Sequence, residues 1–287
     1  QSDSLTLLKD SCFIVSGKIR LKDDKGAPAH IALANGGVLH LFNRAELKIN
    51  NQTVEQVLEP GLTCIPKIYA SYNESGARYL QLMGWNTSKE VTADNGNFTV
   101  IIPFRVLFGL GEDFRQVLVN AKLEILLTRA RSDTDALVCS SASMVEEDVT
   151  LTLLKMQYKL PFVGVDDAHR LQLLKLIEKD KPLKITFRSW ELYRYPELPS
   201  SSKQSWSIKT SSQIEKPRFI ILFFQTDRSG KSKKSSSEFD HCNLRNVKLK
   251  LNNESFPYDD LDQDFKTKNF AIFYNMYCNF SASFNGQ

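Results

Sequence analysis

Apolar and polar side chains alternate along several short segments of the chain, and a period of two is typical of strands that bury one face. Residues 121–128 show this alternation most clearly. One face of that segment would carry Ala121, Leu123, Ile125 and Leu127, and the other Lys122, Glu124 and Thr128. Residues 98–104 are β-branched and aromatic, and Pro103 marks where ladder pairing should stop. We predict two strands joined by a glycine-containing loop, in which Asp113 is placed to cap a helical turn.

Similar short apolar segments fill the rest of the first half, and turn residues such as Asn50 and Asn51 separate them. The further predicted strands are residues 12–21, 38–42, 45–49, 53–58, 68–72 and 79–83. Strands at this spacing, with little helical periodicity between them, predict an all-β sandwich.

The second half repeats this pattern after a polar segment that ends in acidic side chains, residues 132–148, which we interpret as a connector. Its predicted strands are residues 149–160, 183–194, 219–225, 247–251 and 270–277. One short helix is predicted after the N-cap candidates Asp166 and Asp167, because Leu171, Leu174 and Ile177 recur at helical spacing. The expected domains are residues 1–131 and 149–287.

Composition narrows the class of protein. Of the 287 residues, 42% are apolar and 24% are charged, as in ordinary globular proteins. A net charge of +4 is too small to indicate a dedicated nucleic-acid-binding protein. No apolar run approaches the roughly 20 residues that a membrane span needs, and residues 1–9 lack the apolar core of a signal peptide. Because the chain begins with Gln1, we expect a processed chain or a piece of a longer one.

The cysteines are odd in number and widely spaced, without the C-x-x-C spacing of a zinc site. They are Cys12, Cys64, Cys139, Cys242 and Cys278. Free thiols in a reducing compartment are therefore favoured over a disulfide framework. Glycosylation stays open, because N-x-S/T sequons begin at Asn51, Asn73, Asn86, Asn97, Asn253 and Asn279.

The most basic segment is residues 228–234, RSGKSKK, which three serines follow. It could contact the phosphates of a nucleic acid. The preferred interpretation is a solvated loop tip, because glycine and serine beside lysines cannot build a core.

No group of residues has the pattern of an active site or a metal site. The four histidines are scattered, and the G-x-S-x-G nucleophile motif is absent. In the triplet Asp240-His241-Cys242, neighbours on a strand would point to opposite faces. Asp259, Asp260, Asp262 and Asp264 lack the loop glycine and the bidentate glutamate of a calcium site. We predict no catalytic, cofactor-binding or metal-binding residue, and no cofactor.

Aromatic side chains leave a second class of function open. Trp85, Trp190 and Trp206, with Tyr193 and Tyr195, could form a platform for sugars. In a β-sandwich, aromatic residues are more often core or interface anchors. The alternative to a structural protein is thus a binding module for a glycan or a cell-surface receptor.

Long segments of the chain resemble a known family. Residues 98–135 contain IPFRVLFGLGEDF and LVNAKLEILLTRA, and residues 185–277 contain FRSWELYRYPELP, PRFIILFFQTDR and FAIFYNMYCNF. Residues 36–61, GGVLHLFNRAELKINNQTVEQVLEPG, are similar to the family's hairpin in the first barrel. Together these segments resemble the double-jelly-roll major capsid proteins of Polinton (Maverick) elements and adintoviruses.

The resemblance implies two tandem eight-stranded jelly rolls and a structural role. Three copies would form a pseudo-hexameric capsomer, and capsomers would tile an icosahedral shell around double-stranded DNA. The implied location is the virion, assembled inside the host cell. The implied partners are further copies of the chain, with penton or minor capsid proteins and weak contact with packaged DNA.

The chain also departs from the family's pattern. Family members usually have more chain before the region matching residues 11–21, and a further strand-bearing segment after the region matching residues 270–280. We therefore expect a fragment, a processed form or a shortened descendant. Contacts between protomers are expected in the loops of residues 109–116 and 200–213.

Overall fold

The chain folds around two antiparallel three-stranded sheets and several shorter strand pairs. The computed structural model describes residues 5–21, 30–87, 91–139, 149–178, 184–195, 197–208 and 217–286. The strands are β1 (Leu5–Thr6), β2 (Cys12–Leu21), β3 (Ile31–Leu33), β4 (Phe42–Ile49), β5 (Gln52–Leu58), β6 (Asn97–Pro103), β7 (Leu118–Val119), β8 (Leu123–Arg129), β9 (Leu137–Cys139), β10 (Val149–Lys159), β11 (Leu249–Leu251) and β12 (Glu254–Phe256). The described α-helices are α1 (Pro60–Ser71), α2 (Glu74–Leu80), α3 (Phe104–Leu107), α4 (Gly109–Asp113), α5 (Asp167–Glu178) and α6 (Ala271–Asn285).

Alternating side chains create the core between the two larger sheets. In strand order these sheets are β10-β2-β6 and β5-β4-β8. Every second residue of β2 is buried, among them Phe13, Val15 and Ile19. The buried faces of both sheets belong to one hydrophobic cluster, in which Val15 of the first sheet joins Leu47 of the second. This arrangement is that of a β-sandwich.

Most of the sequence-predicted strands of the first half are confirmed. Residues 12–21, 45–49, 53–58, 98–104 and 121–128 correspond to β2, β4, β5, β6 and β8. The predicted helix of the second half is also present as α5. Asp166 caps it, since its Oδ1 accepts a hydrogen bond from the backbone N–H of His169 at 2.9 Å.

Two predicted strands of the first half are wrong, because residues 68–72 and 79–83 lie largely in helical structure. Pro60 is at the start of α1, where its missing N–H costs nothing. Cys64, Ile65 and Ile68 are then buried together at helical spacing. A short apolar run is compatible with either a strand or a buried helix. Here the buried side chains recur at helical spacing, and the segment is a helix.

Two further segments differ from the prediction in the same way. Residues 38–42 mostly form a 3-10 turn, Gly37–Leu41, rather than a strand. Residues 270–277 begin the helix α6, which continues to Asn285 and ends where Gly286 adopts a left-handed conformation. The apolar run extends well beyond strand length without an internal glycine or proline, and this favours a helix.

Most residues of the remaining predicted strands in the second half do not form strands. Residues 184–194 and 219–225 carry no strand assignment, and residue 183 lies outside the described part of the chain. Within residues 247–251, only β11 forms, and it pairs with β12. The predicted strand 149–160 is confirmed as β10.

The strand β10 connects the two halves of the sequence. It pairs with β2 from Val149 opposite Leu21 to Lys159 opposite Cys12. The first strand after the predicted connector therefore completes the sheet of the N-terminal sandwich. The division into two domains, residues 1–131 and 149–287, stays a prediction.

Candidate functional site

The first contact between the two halves is centred on Asp113, and we call Gly109, Asp113, Arg188 and Phe284 the Asp113 junction. Arg188 donates to Asp113 Oδ2 through its backbone N at 2.8 Å and its Nε at 2.9 Å, and to Oδ1 through Nη2 at 2.5 Å. Its Nη1 donates to the carbonyl of Phe284 in α6 at 3.1 Å. One guanidinium thus joins α4, the segment after residue 184 and the end of α6.

The prediction that Asp113 caps a helical turn is wrong. Asp113 is the last residue of α4, and its carboxylate accepts hydrogen bonds from Arg188. Burial opposes ionisation of this carboxyl, but the hydrogen bonds from Arg188 outweigh it and hold the pKa of Asp113 below its ordinary value.

Gly109 allows the backbones of the two halves to approach closely. A Cβ placed on this residue would lie 1.7 Å from the carbonyl oxygen of Arg188. Its own N–H donates to Glu55 Oε1 at 2.8 Å, and the N–H of Leu110 donates to Glu55 Oε2 at 3.1 Å. Gly109, Leu110, Gly111 and Phe114 are buried, so the expectation that residues 109–116 form a protomer-contact loop is wrong for these four.

A buried lysine also stabilises the region around the Asp113 junction. Lys67 Nζ donates to the carbonyls of Val106 at 3.1 Å and Arg105 at 3.4 Å, and pairs with Glu112 Oε2 at 3.4 Å. Burial disfavours its charged form, but attraction to Glu112 outweighs this and raises the pKa of Lys67. Glu55 lies nearby, and burial raises its pKa to about 7 against the opposing hydrogen bonds from Gly109 and Leu110.

The second contact between the halves is centred on Asp135, and we call His40, Asp135, Ser236 and Ser237 the Asp135 junction. Asp135 Oδ1 accepts hydrogen bonds from the N–H of Gly230 and from Ser236 Oγ, each at 2.7 Å. His40 Nε2 and Ser237 Oγ are 3.2 Å apart. These contacts place residues 228–237 against the N-terminal sandwich.

The preferred interpretation of residues 228–234 as a solvated loop tip is confirmed for Ser229, Gly230, Lys233 and Lys234, which are exposed, but not for Arg228 and Ser232. Arg228 pairs with Asp240 through Nε at 2.9 Å and Nη2 at 2.7 Å, and with Glu238 at 3.0 Å. Lys231 pairs with Asp227. The following serines are buried rather than solvated. Hydrogen bonds from this segment to Asp135 stabilise it, although it has no apolar core of its own.

A histidine, a serine and an aspartate at one junction raise the question of nucleophilic catalysis. The geometry argues against it, because the side chain of Ser237 is 0% exposed and no substrate could reach it. Burial lowers the pKa of His40 to about 4 although Asp135 opposes this, so the imidazole is neutral at pH 7. Asp135 Oδ1 instead accepts hydrogen bonds from Gly230 and Ser236. The described contacts of this junction join residues 228–237 to the first half of the chain.

A cleft of about 420 Å³ lies beside the Asp135 junction. Its polar lining includes His40, Glu59, Arg131, Asp135, Arg194 and Gln225. Arg194 Nη1 already donates to both carboxylate oxygens of Glu59, at 2.9 and 2.8 Å. The charged groups of the cleft are thus largely occupied by contacts within the chain.

The other sequence-derived candidates do not come together. His241 stacks on Phe265 with ring centroids 4.5 Å apart. Asp260 pairs with Lys248 at 2.8 Å. Within the described ranges, no three histidine, cysteine or acidic residues are grouped as they would be around a metal ion. No disulfide joins the five cysteines, of which Cys64 and Cys139 are buried and Cys242 and Cys278 are exposed.

The proposed aromatic platform is divided among separate places. Trp85 is buried, and Trp190 lies half-buried with its ring centroid 6.0 Å from that of Phe284. Trp206 is exposed and packs edge-on against Tyr195, with centroids 5.6 Å apart. Only Tyr195 and Trp206 form an exposed pair.

Glu55 and Arg188 make the hydrogen bonds that stabilise the Asp113 junction, and neither residue is among those predicted from the sequence. Glu55 had a visible signal, because it shares a strand face with the buried Val57 two residues later. A carboxylate on an inward-facing position needs partners in the core. Arg188 had no such signal, since its partner is 75 residues away in the sequence.

Comparison with known proteins identifies the class. The chain matches the double jelly roll-like domain over residues 31–287 and belongs to that family. Such domains are typical of viral capsid proteins, and they are typically structural folds rather than enzymes. No curated protein matches the chain. Across the part of the chain that the structure describes, every helix is too short or too polar to cross a bilayer.

Replacement of Gly109 by alanine should loosen the Asp113 junction. The new methyl group would collide with the Arg188 carbonyl, and relief of such overpacking costs about 1–3 kcal/mol. Gly164→Ala is the matched control, because a Cβ there meets no atom within 4 Å. Urea unfolding should show the loss for Gly109→Ala only; equal stability of the two variants would contradict the close approach.

Stability should fall as the pH rises through the titration range of Glu55. Its pKa is about 7 in the folded state against an ordinary 4.5, so between these values the folded state binds more protons than the unfolded state. The contribution of Glu55 to the free energy of unfolding is present below pH 4.5 and is lost by pH 7, with an upper size of about 3 kcal/mol. Glu55→Gln should remove this component from the pH dependence of urea unfolding, whereas Glu74→Gln, an exposed change in α2, should leave it intact.

Proposed function

We propose that this protein is a structural capsid protein of the Polinton and adintovirus type, which acts by self-association. The observation that carries the proposal is the uneven distribution of apolar surface. Among the described residues, 21 large apolar side chains are exposed from residue 149 onward and five before it. The buried apolar side chains after residue 149 are Leu151, Leu261 and Phe284. A half with so little core of its own requires contact with another molecule.

The proposed assembly is a trimer of two-barrel chains that forms a pseudo-hexameric capsomer. Two tandem jelly rolls per chain would give six similar outer walls, so that one protein can tile a hexagonal net. Many such capsomers would enclose double-stranded DNA in an icosahedral shell. Residues 200–208, the described part of the second expected contact loop, are exposed and stay candidates for contacts between protomers.

The proposed location and further partners follow from this assembly. The protein would be assembled inside the host cell and reside in the capsid of the virion, with penton or minor capsid proteins completing the shell. Contact with packaged DNA would be weak and independent of sequence. The net charge of +4 supports only a minor electrostatic contribution.

The mass in solution tests the proposal directly. Size-exclusion chromatography with light scattering should give about 98 kDa, three times the chain mass of 32.7 kDa. Negative-stain images of the same peak should show trimers or closed particles. A monomer that persists at high protein concentration would contradict self-association as the function.

The exposed pair of Tyr195 and Trp206 favours a glycan- or receptor-binding module as a second candidate. If the pair binds sugar, Trp206→Ala should reduce a glycan-array signal by about tenfold or more, since a stacked aromatic residue is a typical binding hot spot. Tyr258→Ala is the control, because Tyr258 is 89% exposed and contacts no other aromatic ring in the described part of the chain. Equal signals from both variants, or no signal from the unmodified chain, would remove this candidate.

A further inference from the structure

The whole chain exposes far more surface than a compact monomer of its mass. Its accessible surface is 18535 Å² for a mass of 32.7 kDa. Folded monomers of that mass expose about 12,400 Å², so the excess is about 6,000 Å². Obligate protein interfaces bury about 2,000–5,000 Å² counted over both partners. An excess summed over the whole chain sets an upper limit on the area that one copy could bury in such interfaces.

The helix α6 contributes to this excess in an unusual way. None of its 15 residues is charged, and one side packs inward through Phe280 and Phe284 against Phe219. Ile272, Tyr274, Met276 and Tyr277 are exposed nearer the start of the helix. An uncharged helix with this many large apolar side chains is normally buried against other elements. The absence of lysine and arginine from α6 makes an anionic lipid surface or DNA a poor partner.

Residues 217–225 lie against α6 through Phe219 and also expose apolar side chains, without forming a helix or a strand. Phe219 faces α6 and Phe223 packs on Phe239 with centroids 4.9 Å apart, whereas Ile220 and Leu222 are exposed. Among the described residues, the backbone N–H groups of residues 218–225 donate to no backbone carbonyl. An apolar segment with unpaired N–H groups offers another chain a place to form backbone hydrogen bonds.

We propose that α6 and residues 217–225 form the docking surface for a second copy of this chain. The inference rests on the proposed function, because self-association makes a second copy the partner, and it adds which surface is used. Apart from Arg218 the surface carries no charged side chain, and it exposes several large apolar side chains that another copy could bury. The excess area agrees with an interface of obligate size.

Charged substitutions on the outer face test the surface. Leu222→Asp and Tyr274→Asp change side chains that are 48% and 62% exposed, and Leu82→Asp is the control, at 47% exposure in the N-terminal half. Light scattering over a dilution series should show association weakened by about tenfold or more for the first two variants and unchanged for the control. Near-ultraviolet circular dichroism of each variant reports whether the fold is kept.

The outcomes separate this inference from the function on which it rests. If the unmodified chain is a monomer, the proposed function and the docking surface both fail. If it associates but Leu222→Asp and Tyr274→Asp do not weaken it, or Leu82→Asp weakens it equally, the surface is wrong while self-association stands. A monomeric chain that sediments with phosphatidylcholine vesicles would identify a neutral lipid surface as the occupant and overturn the proposal.

Hydrogen exchange gives a second readout that needs no substitution. In the unmodified protein, the amides of residues 218–225 should exchange about tenfold more slowly at a concentration that favours association than in dilute monomer. The same comparison for β11 and β12, which pair within the chain, serves as an internal reference. Identical exchange of residues 218–225 at both concentrations would overturn the proposal.

Discussion

Arg188 and Asp113 connect parts of the chain that the sheets alone leave separate. The guanidinium and the backbone N–H of Arg188 converge on one carboxylate, while a further N–H of the same guanidinium reaches the carbonyl of Phe284. The geometry is possible only because Gly109 lets the Arg188 carbonyl approach its Cα. Glu55 in turn fixes the backbone of Gly109 from within the sandwich. The position of the second half therefore depends on a chain of polar contacts whose partners are buried or partly buried and whose geometry has little freedom.

Several buried polar groups in this molecule join segments that are distant in the sequence. His40 and Ser237 are within hydrogen-bonding distance, but both lie inside the structure and the nearby carboxylate of Asp135 is used elsewhere. Lys67 is similarly enclosed, with carbonyls and Glu112 around its ammonium group. Desolvated charges of this kind are costly to separate once they are paired. Their hydrogen-bond geometry fixes one arrangement of the two halves, whereas an apolar contact would allow other arrangements.

The sequence predicts the sandwich well because one-sided burial leaves a visible pattern. Alternation in β2, β5 and β8 can be recognised without any knowledge of the neighbouring strands. The helices α1 and α6 were missed because their first residues are short apolar runs, for which strand and helix look alike. Glu55 could have been found, since it interrupts an apolar face. The pairing of Arg188 with Asp113 could not, because a charge on an extended segment gives no sign of which distant carboxylate it will meet.

The pairing of β10 with β2 also has a consequence for the order in which the chain folds during synthesis. The strand β2 ends at Leu21, but its partner is not complete until Lys159 has been made. A nascent chain that stops within the polar connector has β2 paired on one side only, with β6. Pairing across so long a stretch of sequence is slow, because the loop must close before the contacts form. The sheet of the N-terminal sandwich therefore stays incomplete until β10 has been synthesised. During that interval one long edge of the sheet is unpaired and accessible to other molecules.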